Sequence, residues 1–329
     1  RPSEVWVKVG GRSVSVSVVA VAIGVVVVTG FMAGWSVVQR RRRMEVVPGL
    51  AVEGAGIPPQ WVESEEHVRE AKEKLASVVS KLMRREDLEE METAEAIDAL
   101  LLSPAQTNYQ AAALLTLMAA KGETPAELAG MARAMRRRST QVNPQVSEPL
   151  LDIVGTGGDG ANTVNISTAA AILAAAAGAR VAKHGNRSST SMCGSADVLD
   201  ALGVQIELSA HGVERCVEEC GIGFMFAPAF HPAMKHIKEV RRGLKFRTAF
   251  NILGPLLNPA LAQRQVIGVF SEDILDIMAE TIYNLGTEKS WIVHSEGLDE
   301  LSPLGPAEVR EVTPQGIRAF RIDPLTYGI

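Results

Sequence analysis

Aromatic residues are scarce, at 5% of 329 residues, and cysteine occurs only three times. Cys193, Cys216 and Cys220 offer no disulfide framework and no CxxC pair. Cys216 and Cys220 lie four apart on a helical stretch and share a face, but zinc would need further soft ligands and none is apparent. Free thiols, buried or half-buried, in a reducing compartment are expected instead. Excess positive charge is lacking too: 33 Lys and Arg stand against 38 Asp and Glu, for a net charge of −5. Residues 1–60 hold seven basic and three acidic side chains, or +4, which leaves 26 against 35, or −9, in residues 61–329. An acidic body argues against general nucleic-acid binding, which requires a basic face. No internal repeat is evident, and no Gly-Lys-Ser/Thr closes a P-loop.

Apolar residues are plentiful, at 47%, enough for a sizeable core in one large or two ordinary domains. Residues 1–61 read as a hydrophobic leader- or anchor-like segment and linker. Within it, Ser13 to Gln39 is an uncharged, valine-dominated run followed by Arg40-Arg41-Arg42-Arg43, long enough to cross a bilayer with its basic flank on the cytoplasm-like side. A membrane anchor, an organelle leader and sequence foreign to the working protein all fit. Arg40 to Gln60, with Pro48, Pro58 and Pro59, reads as an unstructured connector.

Residues 62–145 read as an α-helical domain of four or five helices. Val68, Ala71, Leu75, Val78 and Leu82 recur at helical spacing, and Ala94, Ile97, Leu100 and Leu101 repeat the pattern. Ser103-Pro104 and Asn108 mark turns, Gln110 to Ala120 is a nearly continuous apolar helix, and Thr124-Pro125 opens another. Residues 146–329 alternate short apolar runs with helix-length segments. Strands are expected at Leu150 to Val154, Ala179 to Ala182, Val204 to Leu208, Gly223 to Ala227, Gln265 to Phe270 and Ser290 to Val293, with helices at Ala210 to Cys220 and Ile274 to Leu285. The fold class is therefore α/β: a small α-helical domain plus a larger α/β domain with a mainly parallel central sheet, its sites at the carboxyl ends of the strands.

Three polar, glycine-punctuated loops lie between Leu151 and Asp200. The first is Gly155-Thr156-Gly157-Gly158-Asp159-Gly160, leading to Asn165-Ile166-Ser167-Thr168 and an alanine-rich helix. The second strand ends in Lys183-His184-Gly185-Asn186-Arg187 and a hydroxyl-rich loop, and Gly194-Ser195-Ala196-Asp197 follows. Glycines let backbone approach a ligand closely, and a helix start offers free N–H groups and partial positive charge. Lys183 adds a cation. One such loop is often mere punctuation of a βαβ unit; this succession points to a phosphate grip.

GTGGDG, NIST, KHGNR and GSADVL, in this order and spacing, resemble the anthranilate phosphoribosyltransferase family. The resemblance continues through Lys121-Gly122-Glu123-Thr124, Phe230-His231-Pro232-Ala233-Met234-Lys235, Arg247-Thr248-Ala249-Phe250-Asn251-Ile252-Leu253-Gly254-Pro255-Leu256 and Gly297-Leu298-Asp299-Glu300, covering roughly Val68 to Ile329. It implies a nucleoside phosphorylase/phosphoribosyltransferase-like fold. The implied reaction transfers the phosphoribosyl group of 5-phosphoribosyl 1-diphosphate (PRPP) to anthranilate in tryptophan biosynthesis, with Mg²⁺ as cofactor. The implied PRPP cradle is Gly155, Gly158, Asp159, Thr163, Asn165, Ile166, Ser167, Thr168, Lys183, His184, Gly185, Asn186, Arg187, Ser188, Ser189, Thr190, Ser191 and Ser195. Anthranilate would meet Gly155, Asn186, His231 and Arg241; magnesium would meet Ser167, Asp299 and Glu300. Asn251 and Pro255 would shape an interdomain hinge, and no residue is assigned as a general acid or base.

The resemblance also implies a homodimer. Val293 to Glu300 and Ser302 to Pro306 are similar to plant or algal forms, implying a plastid location. Further helices are expected after Asp323-Pro324-Leu325, so the α/β domain is read as C-terminally incomplete and poorly stable alone. Three other readings are a pyrimidine nucleoside phosphorylase-like enzyme, a non-catalytic family member, and a membrane-anchored protein, membrane contact following only if Ser13 to Gln39 is a true anchor.

Overall fold

The computed structural model describes residues 4–9, 12–17, 65–102, 104–188 and 191–329. Strands β1 (Glu4–Val9) and β2 (Arg12–Ser17) pair antiparallel, so the described start of the valine-rich run is extended. The remainder of that run and the connector after it lie outside the described residues. Among the described residues no helix is long and apolar enough to cross a membrane.

Four helices follow: α1 (Glu65–Met83), α2 (Glu90–Leu102), α3 (Pro104–Lys121) and α4 (Pro125–Arg137). The stripe read on α1 is its buried face, with Leu75, Val78 and Leu82 at most 2% exposed. Asn108 falls inside α3 rather than in a turn: Pro104 takes the first helical position, where its missing N–H costs nothing.

A capping box starts α4, Thr124 Oγ1 accepting from Glu127 N at 3.2 Å and Glu127 Oε2 from Thr124 N at 2.9 Å. The buried Glu127 also accepts from Leu88 N at 3.0 Å and Lys121 Nζ at 3.1 Å. One carboxylate thus satisfies three donors from two loops. Glu127→Ala would strand a buried amide and half of a buried ion pair, a loss of about 3 kcal/mol in chemical denaturation.

The second layer is a seven-stranded sheet in the order β5-β4-β3-β6-β7-β8-β9. Its strands are β3 (Leu150–Gly155), β4 (Arg180–Gly185), β5 (Ile222–Phe226), β6 (Arg264–Gly268), β7 (Lys289–Ser295), β8 (Ala307–Thr313) and β9 (Gly316–Ile322). β5 through β7 in that order are parallel, and β8 and β9 add an antiparallel edge. From β3 the chain winds outward to β4 and β5, then returns to the other side of β3 for β6 and β7. The junction of β3 and β6 is thus a topological switch point, with a crevice at the strand carboxyl ends.

Helices α5 (Ile166–Ala176), α6 (Ser195–Ala201), α7 (Ala210–Cys220) and α10 (Leu275–Leu285) serve the sheet. The expected strand at Val204 to Leu208 is irregular instead. β5 forms the sheet edge, and of this stretch only Ile206 is buried, in the small core with Leu199 and Phe224.

The segment after β5 crosses back to the helical unit. It forms α8 (Ala227–Phe230), α9 (Met234–Leu244) and 3-10 turns at Ala249–Asn251 and Gly254–Leu257. Ile237, Phe250, Leu253 and Leu256 enter one core shared by Leu114 and Met131 of the helices and Ile267 and Ile292 of the sheet. That crossing segment fixes the two units around the crevice. Cys216 is half-buried, Cys193 and Cys220 are exposed, and all three are free.

Candidate active site

β3 runs directly into the first loop, where Gly157, Gly158 and Gly160 have φ of 65°, 85° and 75°. Side chains resist this left-handed region, which explains the glycines there. Thr156 ties the loop across the switch point: its N–H donates to Gly268 O at 2.9 Å and its Oγ1 accepts from Phe270 N at 3.1 Å.

After β7 the chain turns back over these strand ends and sets Asp299 against them. Asp299 Oδ2 accepts from Gly157 N at 2.7 Å. A Cβ on Gly155 would overlap the Asp299 carboxylate, and one on Gly268 would overlap the Asp299 carbonyl. Neighbouring Glu300 reaches the start of α5, its Oε1 accepting from Ser167 N at 3.2 Å. The acidic pair therefore bridges both halves of the first phosphate-like motif.

From β4, the buried Lys183 directs Nζ to Ile153 O at 2.5 Å and lies 3.5 Å from Ser167 Oγ. Burial lowers its pKa, opposed by the charges of Asp152 and Glu300. Glu300 is pushed up to about 8 by burial and by Asp299, against the pull of Lys183. Asp299 rises to about 6, chiefly through burial. These carboxyls are short of positive charge.

An all-oxygen set of Asp299, Glu300 and Ser167 suits a hard divalent cation. Among the described residues no group of three or more His, Cys, Asp or Glu could hold a metal alone. Partial protein coordination is the habit of Mg²⁺, which keeps waters and takes substrate phosphate oxygens.

The second loop is braced from behind. Asp197 accepts from Ser188 N at 3.0 Å and Gly194 N at 2.8 Å, and pairs with Arg187 at 2.9 Å. Arg187 also pairs with Asp200, so its guanidinium supports the loop from the α6 side. Ser188 Oγ bonds Ser191, and Ser195 Oγ donates to Asn186 O at 3.2 Å. Asn165 Nδ2 donates to Cys193 O at 3.0 Å, joining the two loops. Asp159 Oδ1 accepts from Ala161 N at 3.1 Å, and Thr163 is exposed on the run leading to Asn165 and Ile166. Ser189 and Thr190 lie outside the described residues.

His184 precedes Gly185 on β4 and faces His231 with ring centroids 5.1 Å apart. Burial, with the nearby His231, lowers His184 to about 3, and burial lowers His231 to about 4. Both rings are neutral, and the buried Nε2 of each has no partner among the described residues, as is true of Thr168 Oγ1.

On α9, Arg241 is largely withdrawn from water. Its Nη2 makes a long 3.4 Å contact to Phe250 O, its guanidinium lies 5.1 Å from the Phe250 ring centroid, and burial lowers its pKa. Among the described residues no carboxylate pairs with it, which leaves a cation suited to bidentate capture of an acid.

Residues 147–329 match the family described as "Glycosyl transferase family, a/b domain", and residues 76–139 its helical bundle domain. An anthranilate phosphoribosyltransferase of Roseiflexus sp. (strain RS-1) is 53% identical over 235 residues, covering 71% of this chain and 68% of the relative. The chain belongs to the anthranilate phosphoribosyltransferase family. The enzyme of that name from Methanosarcina barkeri is 48% identical over 250 residues, covering 75% of this chain and 68% of the relative. The crystal structure of the Thermus thermophilus enzyme superposes with a TM-score of 0.71 at 48% identity, covering 77% of this chain and 74% of that one. The Saccharomyces cerevisiae enzyme in complex with PRPP and Mg gives 0.72 at 30% identity, covering 80% and 76%.

Within this family fold, several site residues escape the motif reading. Asp152, fully buried in β3, accepts from Asn258 Nδ2 at 2.7 Å and His184 N at 3.3 Å, and burial raises it to about 6. Asn258 also donates to Ala182 O at 2.8 Å. A lone acid inside an apolar strand run was the available signal, since such a group requires internal partners. Gly268 carries no such signal; its role depends on Asp299, distant in sequence.

Proposed function

We propose that this chain is the enzyme that transfers the phosphoribosyl group of PRPP to the amine of anthranilate, releasing pyrophosphate, in tryptophan biosynthesis. The observation that carries it is the convergence of Asp299 and Glu300 on Gly157 and Ser167. It joins a diphosphate grip and a cation site at one switch point.

The first loop, the start of α5 and the second loop would hold diphosphate and ribose through backbone N–H groups and hydroxyls: Gly155, Gly158, Asp159, Thr163, Asn165 to Thr168, Lys183 to Ser191 and Ser195. Mg²⁺, held by Asp299, Glu300 and Ser167, would supply Lewis acidity to the leaving group. Arg241 would take the anthranilate carboxylate, with Asn186, His231 and Gly155 shaping that side. The bond from the anomeric carbon to the diphosphate oxygen breaks as the carbon–nitrogen bond forms, and the nitrogen loses a proton. An aromatic amine is nucleophilic when neutral, so orientation and charge stabilisation dominate. Burial holds His231, on the anthranilate side, toward its neutral form, which suits an aromatic ring.

Loss of anthranilate fluorescence on adding PRPP and Mg²⁺ tests this reading; phosphorolysis of a pyrimidine nucleoside in its place would contradict it. Arg241→Ala should raise KM for anthranilate by about tenfold or more while KM for PRPP holds within about twofold. Similar losses for both substrates would remove Arg241 from the acceptor side.

Further parts of the proposal are a helical unit over 62–145, an α/β unit over 146–329, and a homodimer. The 91% exposed Tyr109 supplies apolar surface for such contact on the helical unit; sedimentation tests it. A plastid location rests on the plant- or algal-like phrases near Asp299, and imaging of a tagged full-length gene product tests that.

A further inference from the structure

The first loop has three glycines at positive φ, so its backbone has little intrinsic stiffness. One side chain from the crossing segment reaches it. Arg247 lies between Lys245, itself left-handed at φ 55°, and the Thr248–Asn251 box that opens the 3-10 turn. Its Nη2 donates to Gly158 O at 2.9 Å, and its guanidinium lies 4.0 Å from the Phe270 ring centroid. Phe270 is in turn tied to the same loop, through its N–H to Thr156 Oγ1 at 3.1 Å. Two points of the loop, Thr156 and Gly158, are therefore held by one stacked Arg–Phe pair.

We propose that Arg247 is a positioning residue for phosphoribosyl transfer: it clamps Gly158 and fixes the glycine loop in its diphosphate-binding shape. Turning the Gly158 carbonyl toward Arg247 turns the Asp159 N–H the opposite way, because the peptide between them is trans. The clamp thus sets the direction of a backbone donor without itself touching the ligand. It also ties the loop to the segment that carries Arg241. Arg247 is exposed, so it is not a core support whose loss would unfold the chain.

This inference rests on the glycine loop being the diphosphate cradle, and two measurements separate the two claims. In the ligand-free Arg247→Ala protein, amide exchange across residues 156–161 should accelerate at least about fivefold while the rest of the sheet is unchanged. In calorimetry with Mg²⁺, its Kd for PRPP should rise roughly tenfold, the scale of one charge-assisted hydrogen bond. Arg247→Lys, which keeps a donor but loses the planar stack, should fall between the two. Weakened binding with unchanged ligand-free exchange would mean direct ligand contact and overturn the positioning role. A global rise in exchange with a lower melting temperature would make Arg247 merely structural. Faster exchange confined to the loop in Arg247→Ala, together with a wild-type protein that binds no PRPP, would leave the clamp standing and remove the cradle instead.

Discussion

Asp299→Asn should lower kcat/KM by about 100-fold or more without weakening the fold. The amide retains an oxygen that can accept from Gly157 N, the bond Asp299 Oδ2 makes at 2.7 Å. What it loses is charge, the property by which a carboxylate holds a cation and, through it, a departing diphosphate. The stability effect has a definite sign. Asp299 titrates near 6 when folded, above its ordinary 3.8, so the folded chain binds a proton that the unfolded chain has released. Stability from this group is therefore lost as pH climbs from about 3.8 to 6. A neutral Asn removes that loss, and ligand-free Asp299→Asn at pH 7.5 should be at least as stable as wild type in urea. Parallel losses of activity and stability would assign Asp299 a structural role.

Gly268→Ala should be the most damaging single-methyl change in the site. Its Cβ would overlap the Asp299 carbonyl, a backbone atom that no rotamer change can move aside. Either β6 shifts, disturbing its parallel ladders with β3 and β7, or the Asp299–Glu300 turn lifts off the strand ends. Overpacking of this kind costs about 3 kcal/mol. The lifted turn would also separate the acidic pair from Gly157 and Ser167, so activity should fall at least as far as in Asp299→Asn. Gly286→Ala is a useful contrast, because a Cβ there has open space although its φ is 82°. It should cost stability through strain and leave turnover nearly intact. Equal activity losses in the two variants would count against close approach as the reason for Gly268.

Local pattern made much of the fold legible. The stripe through Leu75 and Leu82, the Thr124-Pro125 start and the alternation after Leu150 all report short-range requirements. The edge hairpin β8–β9 and the irregular Val204–Leu208 stretch were harder. In both, the outcome depends on packing against elements distant in sequence, which no window of sequence contains. The acidic pair and the glycine loops were legible as motifs because close backbone approach and anion binding restrict residue choice. Arg247, Asp152 and Asn258 act through partners far along the chain: Arg247 is 89 residues from Gly158, and Asn258 is 106 from Asp152. Sequence alone presents each as an ordinary polar residue. Arg187, read as part of the cradle, is seen bracing the loop from the α6 side, because Asp197 and Asp200 lie on the facing helix turns.

Calorimetric titration of PRPP, with and without Mg²⁺, into wild-type and Asp299→Asn proteins tests most directly whether the loops and the acidic pair form one site. Tight binding by wild type that requires Mg²⁺, with weak and metal-indifferent binding by the variant, is the predicted result. Binding by wild type that ignores Mg²⁺ and survives Asp299→Asn unchanged would contradict it.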